Sequence, residues 1–303
     1  MKHEELQRED GKVSELLVSL NPHAAEEPMG LTNAEYHARS EVSKSGLDLV
    51  HRSPLHYWNR YLNPDRVAEA PTEAMTLGSA LHTRVLEPHL FDDEYAVAPH
   101  CDRRTKDGKM IWADFEQEAA GKVLLKADDA LRIEAMADAV ARHKAAKFLL
   151  TMPGKAEQSY FWTDVETGEE CKCRPDWHSA DARIIVDVKT TEDASPSKFL
   201  RSSVLGWRYH VQAAFYMQGL PTAEVFLFVV VEKKAPFAVA VYSLPQKLID
   251  RGLEEAHADL GMIASCRAVN KWPSYSEEIE ELALPRWLDD PATVELISEI
   301  EGF

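Results

Sequence analysis

The sequence predicts an α/β fold in which a central mixed β-sheet is flanked by helices. Three observations predict it. Residues 225–232 (Val-Phe-Leu-Phe-Val-Val-Val-Glu) form a run of strand length that is apolar almost throughout, as suits a strand buried on both faces. Residues 183–189 (Arg-Ile-Ile-Val-Asp-Val-Lys) form a second β-branched run, bounded by Ser-Ala-Asp-Ala and Thr-Thr-Glu-Asp. Between and before these runs lie segments of helical periodicity, so strands and helices are interleaved along the chain.

Taken in order, residues 1–30 are polar and acidic and read as a tail, with one short helix at 12–20. In 36–62, Ser43 supplies an N-cap to a first helix and Pro54 opens a second through Tyr57, Trp58 and Tyr61, an aromatic stripe that suits core packing better than base stacking. Residues 74–87 read as a helix stopped by Pro88. Residues 100–110 read as a basic loop ending in an Asp-Gly turn, in which Arg103, Arg104, Lys106 and Lys109 concentrate positive charge. That loop is either solvated or a DNA-binding, phosphate-contacting element.

Residues 111–150 read as two helices, the second from about 126 to 150 with Leu131, Met136, Val140, Ala141 and Phe148 near one side. A meander follows: a strand at 155–163, a hairpin turn at 166–168, a strand at 170–177 and the strand at 183–189. Ser195-Pro196 starts an irregular helix, 209–219 is a helix stopped by Gly219, 237–242 is the partner of strand 225–232, and a helix closes the domain at 245–268.

The chain of 303 residues carries a formal charge of −17, an unusual balance for a protein that handles nucleic acid. The acid is concentrated at the ends. Residues 1–30 hold three basic against seven acidic residues and 274–303 hold one against nine, which leaves −5 for 31–273. We expect tails at 1–30 and 274–303 around a single domain at 31–273, mainly helical to 150 and an αβ core from 151. A local basic lining suffices for an enclosed polyanion, since charges more than about 10 Å apart are screened at 0.1 M salt. With no run of 18 apolar residues and no signal-peptide core, the chain is expected to be soluble and cytoplasmic, without a membrane partner. Cys101, Cys171, Cys173 and Cys266 are too few and scattered for a disulfide framework, and the Cys-x-Cys pair lacks the second pair of a metal site; both thiols are expected to face the core.

Chemistry centres on Pro175-Asp176 and Asp187-Val188-Lys189. Side chains two apart on a strand share a face, so Asp187 and Lys189 point the same way while Val188 points into the core. The Ser179-Ala180-Asp181-Ala182 turn folds the strand that ends at Asp176 back beside the next. Two neighbouring carboxylates stay ionised most easily around a hard divalent cation, and a lysine beside it offsets charge on a phosphate.

These residues resemble the Pro-Asp…(Asp/Glu)-x-Lys motif of the PD-(D/E)XK nuclease superfamily. Leu77-Gly78-Ser79-Ala80-Leu81-His82 resembles the Gly-x-x-x-His helix of RecB-type exonucleases, and Gln212…Tyr216 resembles their Gln-x-x-x-Tyr helix. Over about 36–270 the chain is most similar to the exonuclease VIII (RecE) C-terminal group found in phages and prophages. The resemblance implies a restriction-endonuclease-like core and a Mg²⁺-dependent exonuclease, with Mn²⁺ able to substitute. It implies 5′-to-3′ digestion of linear duplex DNA, leaving 3′ overhangs for recombination through a single-strand annealing partner, by a ring-shaped homo-oligomer in a bacterial host cell. It further implies metal ligation by His82, Asp176, Asp187 and the Val188 carbonyl, with Lys189, Gln212 and Tyr216 in the catalytic set. Glu157 stands where the superfamily often has another acid, and a surface glutamate remains open. A restriction-type or structure-specific endonuclease and a non-catalytic DNA-end-binding module are the alternatives.

Overall fold

The computed structural model describes residues 29–67 and 70–283. The helix expected at 12–20, nearly all of the N-terminal tail and the distal part of the C-terminal tail lie outside the described residues. Helix α1 (Asn33–Ala38) begins with a capping box between Thr32 and Glu35. Helices α2 (Lys44–Arg52) and α3 (Pro54–Tyr61) stand where expected. Ser43 precedes α2 without a capping hydrogen bond from its hydroxyl, whereas Ser53 accepts from the His56 N–H and Pro54 occupies the first position of α3. Helix α4 (Glu73–Leu86) ends ahead of Pro88, and α5 (Phe91–Glu94) leads into β1 (Tyr95–Val97).

Residues 100–110 are not one loop. Thr105 caps α6 (Lys106–Glu118) by accepting from the Gly108 N–H, so Asp107-Gly108 forms a first helical turn and Lys106 and Lys109 are helical. Gly108 is needed there, because a Cβ would meet the Asp102 carbonyl oxygen at 2.0 Å. Strand β2 (Val123–Leu125) pairs in parallel with β1, and three residues are too few for periodicity to reveal either. The helix expected at 126–150 is two, α7 (Ala127–Arg142) and α8 (Lys144–Thr151), broken at His143, whose ring caps α8 by accepting from the Ala146 N–H. Ile133, Met136 and Val140 form the buried stripe. Leu131 and Phe148 are 71% and 66% exposed and Ala141 is exposed too, because Leu131 leaves the opposite face of α7 and the break turns α8 out of register.

The predicted meander is also divided. Segment 155–163 becomes β3 (Gly154–Ala156) and β4 (Tyr160–Thr163), separated at Glu157, whose φ of 50° is left-handed. Segment 170–177 becomes β5 (Glu170–Cys173) and β6 (Trp177–Ser179), separated at Arg174-Pro175-Asp176, where proline offers no donor to a ladder. The hairpin at 166–168 does form, but β4 and β5 make a separate two-stranded sheet. Strand β7 (Ile184–Thr191) is followed by α9 (Pro196–Lys198), a π-helical stretch at Phe199–Leu205, α10 (Tyr209–Gly219), β8 (Val225–Glu232), β9 (Val239–Ser243) and α11 (Gln246–Val269). Gly219 is the last residue of α10 for a packing reason: a Cβ would meet Trp162 at 2.6 Å and Cys173 Sγ at 2.7 Å.

The main sheet has the order β3-β6-β7-β8-β9 and is mixed, with β7 and β8 parallel and the other pairs antiparallel. Alternation along its central strands splits the core. Ile185, Phe226, Phe228 and Val230 pack with Leu47, Tyr57, Phe215 and Leu260 of the α2, α3, α10 and α11 layer. Val186, Val188, Val229 and Val231 pack with Leu77, Leu81, Ile133 and Leu149 of the α4, α7 and α8 layer. Truncating one of the wholly buried rings, such as Phe228, to alanine costs about 3–5 kcal/mol. Cys171 and Cys173 are both wholly buried in the first cluster, and the four cysteines are free. Tyr57 is core too, stacked on Trp272 at 5.4 Å. Among the described residues no helix is long and apolar enough to cross a membrane.

Candidate active site

The bend between β5 and β6 builds one half of the site. Asp176 leaves the strand after Pro175 and is 8% exposed; its Oδ2 accepts the Val188 N–H at 2.6 Å, which ties the bend to the central strand β7. Its backbone oxygen accepts the Glu157 N–H at 3.1 Å, so the left-handed residue between β3 and β4 is drawn to the same place. Helix α4 brings His82 from the other side. Nε2 of His82 lies 2.8 Å from the Val188 carbonyl oxygen and Nδ1 lies 3.6 Å from Asp176 Oδ2. A carbonyl can only accept, so Nε2 carries a proton in this arrangement, and Nδ1 is the ring nitrogen turned toward the Asp176 carboxylate.

His82, Glu157 and Asp176 thus bring one potential ligand atom each within 4.8 Å of one another. An imidazole nitrogen and two carboxylates fit a divalent cation. Burial, with the Asp176 charge added, pushes the Glu157 carboxyl up to about 7 against the opposing pull of Arg174.

Asp187 and Lys189 share a face of β7, as alternation requires, and Val188 between them is wholly buried in the opposite cluster. Lys189 Nζ lies 2.6 Å from Asp187 Oδ2, and Gln212 Nε2 on α10 donates to Asp187 Oδ1 at 2.5 Å. Asp187 is 1% exposed. Burial pushes its carboxyl up to about 6, helped by Asp176 and opposed by Lys189. Burial pulls the Lys189 ammonium down, but the Asp187 and Asp176 carboxylates outweigh it and the net direction is up. Asp187 Oδ1 thus accepts from Gln212, while Oδ2 faces the Lys189 ammonium without a hydrogen-bond partner, and Asp187 stands beside the His82, Glu157 and Asp176 trio. The Val188 carbonyl, expected to face a metal, faces His82 Nε2.

Tyr216 lies one turn beyond Gln212, its ring edge-on to Phe226 at 6.1 Å, and burial pushes its phenol well above the ordinary value. The basic residues are placed elsewhere. Arg104 is bound to Asp102 at 3.0 Å and the Arg103 guanidinium lies over Trp112 at 4.0 Å. No hydrogen bond or ion pair of the described residues joins Arg103, Arg104, Lys106 or Lys109 to the site.

Two further residues belong to it. Tyr209, the first residue of α10, places its ring 4.8 Å from Lys189 Nζ. Arg174 places Nε 2.7 Å from Glu157 Oε2. Neither has a signal in the sequence beyond proximity: Arg174 adjoins Pro175-Asp176, and Tyr209 opens the helix of Gln212.

Comparison with known proteins identifies the family and the fold. The family described as a PDDEXK-like domain of unknown function (DUF3799) matches residues 43–285. The chain belongs to that family, and its fold and site support a nuclease. Among solved structures, a protein of Eubacterium rectale provisionally described as an exonuclease superposes with a TM-score of 0.58 at 14% identity, over 87% of this chain and 99% of that one, and so shares the fold. The structure of SSO0001 aligns at a TM-score of 0.26 and 16% identity, over 60% of this chain and 86% of that one, too weakly to carry an argument. No curated protein matches the chain.

Proposed function

We propose that the protein is a Mg²⁺-dependent exodeoxyribonuclease that degrades linear duplex DNA from 5′ ends and leaves 3′ overhangs. The observation that carries the reading is the convergence of His82, Glu157 and Asp176 beside the Lys189 and Asp187 pair. His82, Glu157 and Asp176 would hold the cation, whose chemistry when bound would be to lower the pKa of a water and to polarise the scissile phosphate. Asp187 holds the Lys189 ammonium, and Lys189 offsets the charge that develops on the phosphate. Gln212 fixes the Asp187 carboxylate, and the Tyr209 ring bounds the face on which the lysine sits. The 5′-to-3′ polarity, a ring-shaped assembly and a single-strand annealing partner rest on the RecE-like motifs alone. An enclosing ring also reconciles a net acidic chain with DNA, because only its lining need be basic.

The test is digestion of linear duplex labelled separately at its 5′ and 3′ ends, beside a closed circle, with Mg²⁺ and with chelator. Early Mg²⁺-dependent release of 5′ label with an intact circle is expected. A nicked circle would establish an endonuclease instead, and no cleavage with any divalent metal would leave a DNA-end-binding module.

A further inference from the structure

Arg174 occupies the bend between β5 and β6, two residues before Asp176, and the chemistry above gives it no task. Its side chain is 11% exposed. Nε lies 2.7 Å from Glu157 Oε2 yet off the line of a hydrogen bond, so that Nε and Nη1 are both buried without a hydrogen-bond partner. A guanidinium is always charged and is costly to bury unless it is well paired. As a stabilising pair this one is poorly made, and its geometry serves a different end. Glu157 is left-handed at φ 50°, a conformation that costs a non-glycine residue about 1–2 kcal/mol, and its N–H is tied to the Asp176 carbonyl oxygen. The backbone therefore delivers the Glu157 carboxylate to the bend, and the guanidinium meets it there. Behind Arg174 stands the Tyr36 ring, 5.7 Å from its Cζ. Tyr36 is itself anchored, since its carbonyl oxygen accepts from the buried Lys172 Nζ at 2.8 Å.

We propose that Arg174 is a positioning residue, which holds the Glu157 carboxylate against His82 and Asp176 so that the three present their donors to a single divalent cation. This rests on the reading of the site as a divalent-metal nuclease. Arg174 acts through Glu157 and touches neither cation nor substrate.

The test is a double-mutant cycle on Mn²⁺ binding, measured by calorimetry on the chelator-stripped full chain. Arg174→Met is expected to weaken Mn²⁺ binding by about 10–100-fold, the usual loss when the partner of a metal ligand is removed. Arg174→Lys is expected to recover part of that loss, because it restores the charge without the fork. Glu157→Gln should also weaken binding, and the double variant should bind no more weakly than Glu157→Gln alone, since Arg174 then has nothing to position. Binding by Arg174→Met within twofold of wild type, or losses that multiply in the double variant, would overturn the proposal. If Arg174→Met does not fold, Arg174→Lys carries the same cycle. A wild-type chain that binds no Mn²⁺ would overturn the metal-site reading and this proposal together, whereas normal wild-type binding with an indifferent Arg174→Met would overturn only the role of Arg174.

Discussion

Gln212 on α10 donates its side-chain N–H to Asp187 on β7 at 2.5 Å, across the layer boundary between helix and sheet. The other Asp187 oxygen is held by Lys189 at 2.6 Å. One helix residue thus orients the carboxylate that orients the lysine. Replacing Gln212 by alanine is expected to lower kcat by about 10–100-fold, with metal affinity unchanged, since its side chain donates to Asp187 and not to His82, Glu157 or Asp176. Single-turnover cleavage beside Mn²⁺ calorimetry separates the two effects; parallel losses in both would place Gln212 in the metal site.

Lys189→Met should keep Mn²⁺ binding and lose turnover by about 10²–10³-fold, the range expected for removal of one electrostatic stabiliser of a developing charge. Asp187→Ala should also abolish cleavage. It relieves the repulsion between Asp187 and Asp176 but leaves Lys189 with Asp176 as its remaining carboxylate and Gln212 without its acceptor, so the chain should still fold, with a lowered Tm. Circular dichroism and end-labelled digestion of both variants check this, and turnover by Lys189→Met at the wild-type rate would remove the lysine from the chemistry.

Gly219 sets a packing limit rather than a turn. A methyl group there would press on Trp162 and Cys173 Sγ inside ordinary contact distance, so Gly219→Ala should destabilise the fold by about 1–3 kcal/mol. Urea unfolding measures it; an unshifted midpoint would mean that the β4 and β5 sheet yields freely.

Glu255 on α11 should make part of the stability depend on pH. Burial raises its carboxyl, but Arg251, His210 and Arg208 outweigh it and hold the group at about 2. The folded value lies below the ordinary 4.5, so its contribution to stability is present above about 4.5 and fades as the pH falls toward 2. Glu255→Gln should therefore lower Tm at pH 7, and the gap to wild type should narrow from pH 5 to pH 3. A gap that widens on acidification would reverse the sign of the pairing.

Much of the fold is legible because local patterns and tertiary demands agree. The apolar run at 225–232 can hardly be anything but a strand buried on both faces, and β8 has those bounds. Alternation alone places Asp187 and Lys189 on one face and Val188 on the other. Legibility fails where a single residue turns the chain. Glu157 and the Arg174-Pro175-Asp176 bend each divide an expected strand, and the halves enter different sheets. The failure on α7 and α8 is of the same kind, because His143 interrupts a pattern that periodicity reads straight through.

By itself the sequence determined the order of elements from β7 onward and the residue types of the candidate site: two aspartates, a lysine, a histidine and a glutamine on elements of known periodicity. Tertiary structure alone decided which of them meet. It joined His82 and Glu157 to Asp176, left Asp187 between Lys189 and Gln212, brought in Arg174, and kept Arg103, Arg104, Lys106 and Lys109 out of any bond to the site. The reason is physical. Periodicity reports the face of an element on which a side chain lies, whereas a ligand set depends on distances of a few ångströms between elements. Those distances are fixed by bends, left-handed residues and buried charges that leave no periodic trace.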